Sequence, residues 1–304
     1  MKAITDIERQ FAPSELVSFG REIAASRHPA RDTLLQRDVF AEVLSAKHVQ
    51  PFQRIPVSPD VSFYSDGGPA KDKTIVIGFG GMGGRLGLPI GSILQVLDAA
   101  RVDFVLLSDP MQRSFSFGVG DLAPDFTALV AMIRARFRPE TYRRVVTIGN
   151  SMGATPALRA GFWLDAERAI GVGTRRPNDA LMLILRRNVG SAFDPFCDCL
   201  RDRTFRGLLV HGGDCVPDVR AASLLEATGA GRRVIFSGMA DHNLIWRFWS
   251  MGELRAFFDV LLNFQPMPDR NRLAPPIVFG RTWPPRLRAA LRRRAARLLR
   301  WAKR

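Results

Sequence analysis

Cysteine is scarce in this chain: Cys197, Cys199 and Cys215 are the only three in 304 residues. So small and odd a number excludes a disulfide-stapled framework and points to a reducing compartment. Cys-x-Cys plus one distant sulfur also lacks the paired spacing of a zinc cage, so no metal is expected. Long apolar runs are missing too. The longest, "ALMLIL" at 180–185, falls far short of the ~18–20 residues of a membrane-spanning helix. Asp6 and Glu8 stand where the apolar segment of a secretory leader would begin, and the expected location is cytoplasmic. Acidic residues stop at Asp269, and 12 of the 44 Lys/Arg lie beyond it. The net charge of +15 is therefore a property of the tail. No basic face for sequence-specific nucleic-acid binding is expected on the folded body.

What is present is a large apolar fraction, 46%, arranged in alternating patterns. Residues 1–55 read as a helical extension, with "SELVSFGREIAA" and "DTLLQRDVFAEVLSAKH" as helices and Ser14 and Asp32 as their N-caps. "PFQRIPVSPD" reads as turn-rich, and "VSFYSD" as a short strand. From residue 73, strands such as "KTIVIGF", "VDFVLLSD", "YRRVVTIGN", "AERAIGVGT", "RGLLVHGGD" and "RRVIFSG" alternate with helices. The last, "LIWRFWSMGELRAFFDVLLNF", reads as one long closing helix. Such alternation predicts an α/β fold over 56–268, a mainly parallel sheet with helices on both faces. Ligands of such a sheet bind beyond the carboxyl ends of its strands. Segment 175–206 interrupts the alternation and is a candidate small lid. Together with 111–121 it is expected to shape a pocket for an acidic or medium-chain acyl group.

"RVVTIGNSMGA" places Ser151 directly after a β-branched strand and directly before a helix. A serine on so tight a turn is exposed at the sheet edge, and the close packing tolerates only small residues two positions to either side. Gly149 and Gly153 meet that demand. The following helix N-terminus offers unpaired amides, Met152 first, where an oxyanion would form. A serine hydroxyl needs a base, and the chain has only four histidines. His242, just past the last long strand in "SGMADHNLIW", is the candidate; His211 lies inside a strand and reads as structural, and His28 and His48 as solvated. A carboxylate must then orient the imidazole. Asp214, ending "LLVHGGD", is the first choice, Asp218 the alternative, and Asp241 a turn residue. The glycine-rich "GFGGMGG" at 78–84 supplies Phe79, with Gly80 behind it, as the second oxyanion amide. Its Gly-x-Gly-x-x-Gly match to a phosphate loop is weak. Asp109 lies about 30 residues on, whereas a dinucleotide site has its acid about 20 residues on.

From about residue 60 to 265 the chain resembles the α/β-hydrolase family. "GFGG", "GNSMG", "HGGDCVPD" and "DHN" stand where that family has its oxyanion loop, nucleophile elbow, acid and base. The resemblance implies Ser151 as nucleophile, His242 as base then acid, and Asp214 as orienter. It also implies hydrolysis of a small-molecule ester or thioester without a cofactor. The acid loop is one residue shorter than the usual His-Gly-x-x-Asp spacing, which keeps Asp218 in play. An acyltransferase with the same triad and an inactive scaffold used for binding are the rival readings.

Residues 269–304 form a basic tail ending in "PPRLRAALRRRAARLLRWAKR". Leu287, Ala290, Leu291, Ala295, Leu298, Trp301 and Ala302 share one side of a helix there, with arginines over the rest. That pattern suits an anionic membrane surface, at the inner face for a cytoplasmic protein, or an acidic partner. Deletion of 284–304 is expected to leave ester cleavage intact while lowering co-sedimentation with anionic liposomes; undiminished sedimentation would remove the membrane reading.

Overall fold

Six-residue strands that are apolar at nearly every position must be covered on both faces, and the computed structural model shows how. It describes residues 11–27, 31–174, 207–227, 229–263 and 277–279, together with Ile7 and Gln10. In chain order these form α1 (Pro13–Ala25), α2 (Arg31–Leu35), α3 (Asp38–Leu44), β1 (Gln53–Ser58), β2 (Val61–Ser65), β3 (Thr74–Phe79), α4 (Ile90–Val96) and β4 (Val102–Leu107). Then follow α5 (Phe126–Phe137), β5 (Arg144–Asn150), α6 (Ala154–Trp163), β6 (Arg168–Val172), β7 (Gly207–Gly212), α7 (Val216–Ala227), β8 (Arg232–Phe236), α8 (Leu244–Ser250), α9 (Leu254–Asn263) and β9 (Ile277–Phe279). The strands make one sheet in the order β1-β2-β4-β3-β5-β6-β7-β8-β9. It is parallel from β4 to β9, with β2 antiparallel to both β1 and β4. This is the α/β-hydrolase fold.

Alternate residues of each strand supply the two layers. Val76, Phe104, Ile148, Val172, Val210 and Phe236 face one core with α4, α8 and α9. Ile75, Ile77, Phe79, Val105 and Leu107 face the other with α5 and α6.

The extension is docked on this body. Leu16, Val39, Phe40 and Val43 bury one another, and Leu16 Cδ1 lies where a Cβ on Gly91 would be, at 2.3 Å, so glycine there lets α1 reach α4. Tyr64 Oη donates to Gln10 O at 2.6 Å, and Arg54 pairs with Glu15 at 3.1 Å. Glu42 of α3 accepts from Ser92 Oγ at 2.7 Å and from Trp249 Nε1 at 2.9 Å, tying α3 to α4 and α8.

Several local expectations are corrected. Ser14 does not cap α1: Ala12 holds that position, Pro13 starts the helix, and Ser14 Oγ donates instead to Phe52 O. Asp32 lies inside the first turn of α2, and the second expected helix is two, α2 and α3. The turn-rich segment is the edge strand β1, which accommodates Pro56 because only one side of it must supply ladder bonds. The closing helix breaks into α8 and α9 at Gly252, whose φ of +74° ends the first with its amide on Trp249 O. Strand β9 arises from the segment assigned to the tail. The lid segment 175–206 and the basic helix 284–304 lie outside the described residues.

One buried charge pins the amino ends of β3 and β4. Lys73 is 1% exposed and bonds both Asp66 and Asp103, and Tyr142 Oη donates to Asp103 at 2.9 Å. Burial alone would lower the Lys73 pKa, but these two carboxylates overcome it and raise the value above the ordinary 10.5. Burial pushes Asp66 up, and Lys73 with the Gly68 amide brings it below the ordinary 3.8. The lysine's contribution is thus complete below pH 10.5 and lost as pH rises through its raised value; that of Asp66 is complete above 3.8 and lost as pH falls through its lowered one. Lys73→Met strands a buried carboxylate and should cost about 3–5 kcal/mol in urea unfolding at pH 7; an unchanged midpoint would show that the cluster contributes nothing net.

Candidate active site

Strand β5 runs straight into a tight turn at Ser151, whose φ is +55°. A β-carbon on Gly149 would fall 1.9 Å from Gly153 O, and one on Gly153 would fall 2.0 Å from Phe79 O. Both glycines are therefore required by backbone approaching backbone. The turn pushes the serine hydroxyl out at the carboxyl edge of the sheet, between the loops after β3 and β8.

His242 meets it there. Nε2 lies 2.9 Å from Ser151 Oγ, and Nδ1 lies 2.8 and 3.0 Å from the two carboxylate oxygens of Asp218. Of the two acids open in the sequence, the structure brings Asp218 to the imidazole, and the first choice, Asp214, is corrected. Asp214 sits in the exposed turn after β7, with its amide on Met239 O. Asp218, four residues on in the first turn of α7, is 3% exposed and points inward. With the strand-to-helix loop so short, the helix's first turn reaches the base and the strand's last turn does not. Asp241, next to the histidine, pairs with Arg247 at 3.4 Å.

The imidazole of His242 is fixed from below and behind. Gly173, at φ +58°, leaves space that His242 uses: a β-carbon there would fall 2.7 Å from its carbonyl oxygen and 3.1 Å from Cε1. Asn243 donates to Gly87 O at 3.1 Å and caps α8 by accepting from Trp246 N at 3.1 Å. Neither residue was singled out from sequence. A glycine and a polar cap at the carboxyl rim of β6 and β8 were the available signals. Cys215 Sγ, a carboxylate oxygen of Asp218 and an imidazole nitrogen of His242 lie within 4.8 Å of one another, the one such cluster among the described residues. Asp218 and the imidazole bond each other within it, with the thiol alongside. Burial raises the Cys215 thiol, and the Asp218 charge adds to the rise against a bond from the Asp218 amide.

The glycine loop also departs from expectation. The Gly80 amide donates to Leu107 O at 2.8 Å and that of Gly81 to Arg85 O at 2.7 Å. Phe79 is a strand residue paired with Leu107 on one side and Gly149 on the other. The ladder thus consumes the amides of Phe79 and Gly80, and with Gly84 bound to Gly81 O the loop is no phosphate cradle. The Met82 amide, the next along, has no protein acceptor among the described residues. Its loop lies on the elbow, since a β-carbon at Gly81 would fall 2.6 Å from Asn150 O. Met152 lies in the turn that Ser151 opens. Asp109 accepts from the amides of Met111, Arg113 and Phe115, which shapes the neighbouring loop. His211 is fully buried in β7 and His48 is exposed, as read; His28 lies outside the described residues.

No family model matches the chain, and no curated protein matches it. Solved structures do. Dienelactone hydrolase from Anabaena variabilis is 18% identical, covering 69% of this chain and 95% of its own, with a TM-score of 0.47. A 2,6-dihydroxy-pseudo-oxynicotine hydrolase is 15% identical over 90% of this chain and 84% of its own, TM-score 0.48. A siderophore hydrolase from Aspergillus nidulans is 13% identical over 74% and 100%, TM-score 0.44. No described helix is long and apolar enough to cross a membrane.

Gly173→Val should displace the imidazole without unfolding the sheet. Circular dichroism is expected to stay close to wild type while fluorophosphonate labelling of Ser151 falls at least about tenfold; full labelling would show that the base does not depend on this space.

Proposed function

We propose that the protein is a serine hydrolase that cleaves a carboxylic ester or thioester through an acyl-enzyme on Ser151. The observation that supports it best is the continuous hydrogen-bonded line from Ser151 Oγ through His242 to Asp218. Three groups far apart in sequence are aligned at the rim where such sheets bind ligands.

The chemistry follows from the donors and acceptors. With Nδ1–H donating to Asp218, Nε2 is the free base that accepts the serine proton as the hydroxyl attacks a carbonyl. The buried carboxylate stabilises the imidazolium that results. Negative charge on the carbonyl oxygen is met by the amide of Met152, in the turn that Ser151 opens, and that of Met82 in the loop packed on the elbow. The imidazolium then protonates the leaving alcohol or thiol. Water, deprotonated by the same nitrogen, releases the acid. No group in this sequence of steps lies outside the chain, the substrate and water.

Two carboxylates, one bonded to the base and one exposed, give a direct test. Asp218→Asn is expected to lower kcat on a phenyl ester by about 10³–10⁴-fold, because the amide favours the wrong imidazole tautomer. Asp214→Asn should change it less than about threefold. Reversal of that order would overturn the triad. Fluorophosphonate labelling retained in Ser151→Ala would reject the nucleophile, and no labelling of the wild type would return the chain to a binding scaffold.

A further inference from the structure

Cys215 takes no part in the proposed acyl transfer, yet its sulfur shares a small volume with Asp218 and His242, all three within 4.8 Å of one another. The local sequence arranges this. Cys215 directly precedes α7 and its carbonyl accepts the first helical bond, from Val219 N at 2.9 Å, which makes it the N-cap. Asp218 stands three residues on, at the position whose side chain meets the cap across the first turn. His242 arrives from the loop after β8 and turns Nδ1 toward the same turn, 2.8 Å from Asp218 Oδ1. The cysteine spacing excludes an all-sulfur zinc cage, but it does not exclude this mixed set of thiol, carboxylate and imidazole.

Those donors are the ones zinc takes. Sulfur, nitrogen and oxygen ligands at their usual bond lengths around a tetrahedral zinc stand about 3.4–3.6 Å from one another. The imidazole–carboxylate pair, at 2.8 Å, must open slightly, and the sulfur has at most about 1.2 Å to close. Magnesium and calcium, which demand six or more oxygens, do not fit so small a set with sulfur and nitrogen in it. The local charge suits a cation, since the carboxylates of Asp218 and Asp241 both act on the thiol. Asp241 is answered by Arg247, so Asp218 carries the charge the ion would meet. Access comes from the imidazole side: the His242 side chain is 40% exposed, which gives the ion a path in and water as its fourth ligand.

We infer that a zinc-class divalent ion binds Cys215 Sγ, Asp218 and His242 Nδ1 and switches the hydrolase off. The neutral imidazole carries one proton, on Nδ1, and keeps the Nε2 lone pair for Ser151. Metal on Nδ1 sends that proton to Nε2, which then donates to Ser151 Oγ and has no lone pair left for the serine proton. The thiol proton leaves to solvent as the metal–sulfur bond forms, and no electron is transferred. The switching rests on the hydrolase reading; the binding does not.

Because Cys197 and Cys199 are the other two thiols, both are replaced by serine in every protein of the test. With Ser151→Ala added, cobalt(II) should give the visible bands of a tetrahedral ion and a near-ultraviolet thiolate-to-cobalt band, and Cys215→Ser should remove the latter. With Ser151 present, zinc should stop cleavage of a phenyl ester, while magnesium at the same concentration leaves it unchanged. Cys215→Ser should raise the half-inhibiting zinc concentration at least about tenfold, each protein being measured against its own zinc-free rate. A cobalt complex without the thiolate band would overturn the inference, as would equal zinc sensitivity with and without Cys215. A thiolate band in a chain that cleaves no ester would sink the hydrolase reading alone. Cleavage untouched by zinc, with no thiolate band, would sink the metal site alone.

Discussion

The site depends on backbone meeting backbone where β5 turns into α6. Ser151 is held in left-handed conformation, at φ +55°, which costs a residue with a β-carbon roughly 1–2 kcal/mol. The surrounding geometry enforces it: Gly153 rests on the Phe79 carbonyl, and Gly149 on Gly153 itself. With no side chains in that contact, the turn can be tight enough to lift the hydroxyl clear of the sheet. Every other feature of the site is placed relative to this point. The loop after β3 packs on the elbow through Gly81, and Ser108 holds that loop by donating to Gly84 O at 3.0 Å.

Much of this was readable because some constraints are local. A serine flanked by small residues between a β-branched strand and a helix states its own geometry, and scarcity of histidine left His242 almost alone at the correct edge. The acid was harder, since Asp214 and Asp218 both follow β7 and differ only in which part of the turn-and-helix junction faces inward. That direction is set by α7 packing Ala222 and Leu225 onto Leu158 and Leu209, a tertiary contact with no local signature. The second oxyanion amide was assigned to Phe79 or Gly80, both taken up by the ladder, for a related reason. Glycine content marks where the chain can approach a ligand, but hydrogen bonding decides which amide is left over. At this rim the Gly80 amide, just past the end of β3, still donates to Leu107 O, so ladder bonding runs one residue beyond the strand.

The extension was the least legible part. Its helices are short, and "DTLLQRDVFAEVLSAKH" fits one helix as well as two. What fixes it is a set of pairings across large sequence separations: Glu15 with Arg54, and Glu42 with Ser92 and Trp249. Glu42 matters most, because a single carboxylate holds α3 against both α4 and α8. Since α8 begins at the residue after Asn243, the same contact steadies the segment carrying His242.

The electrostatics near the acid favour a single proton path. His211 is fully buried in β7, and burial, outweighing a bond to the Gly212 carbonyl, lowers its pKa below the ordinary 6.5. It is neutral at pH 7, with Nδ1 3.0 Å from Gly212 O and hence donating there. A neutral imidazole brings no second positive charge toward Asp218. Arg233 on β8 is engaged by Glu226 at 2.6 Å. Among the described residues, the group bonded to Asp218 that can become cationic is therefore His242, as the proposed transfer of the Ser151 proton requires. A charged neighbour at position 211 would share that carboxylate and weaken the base when it must hold a proton. Burying a neutral histidine there leaves the field of Asp218 directed along the line to Ser151.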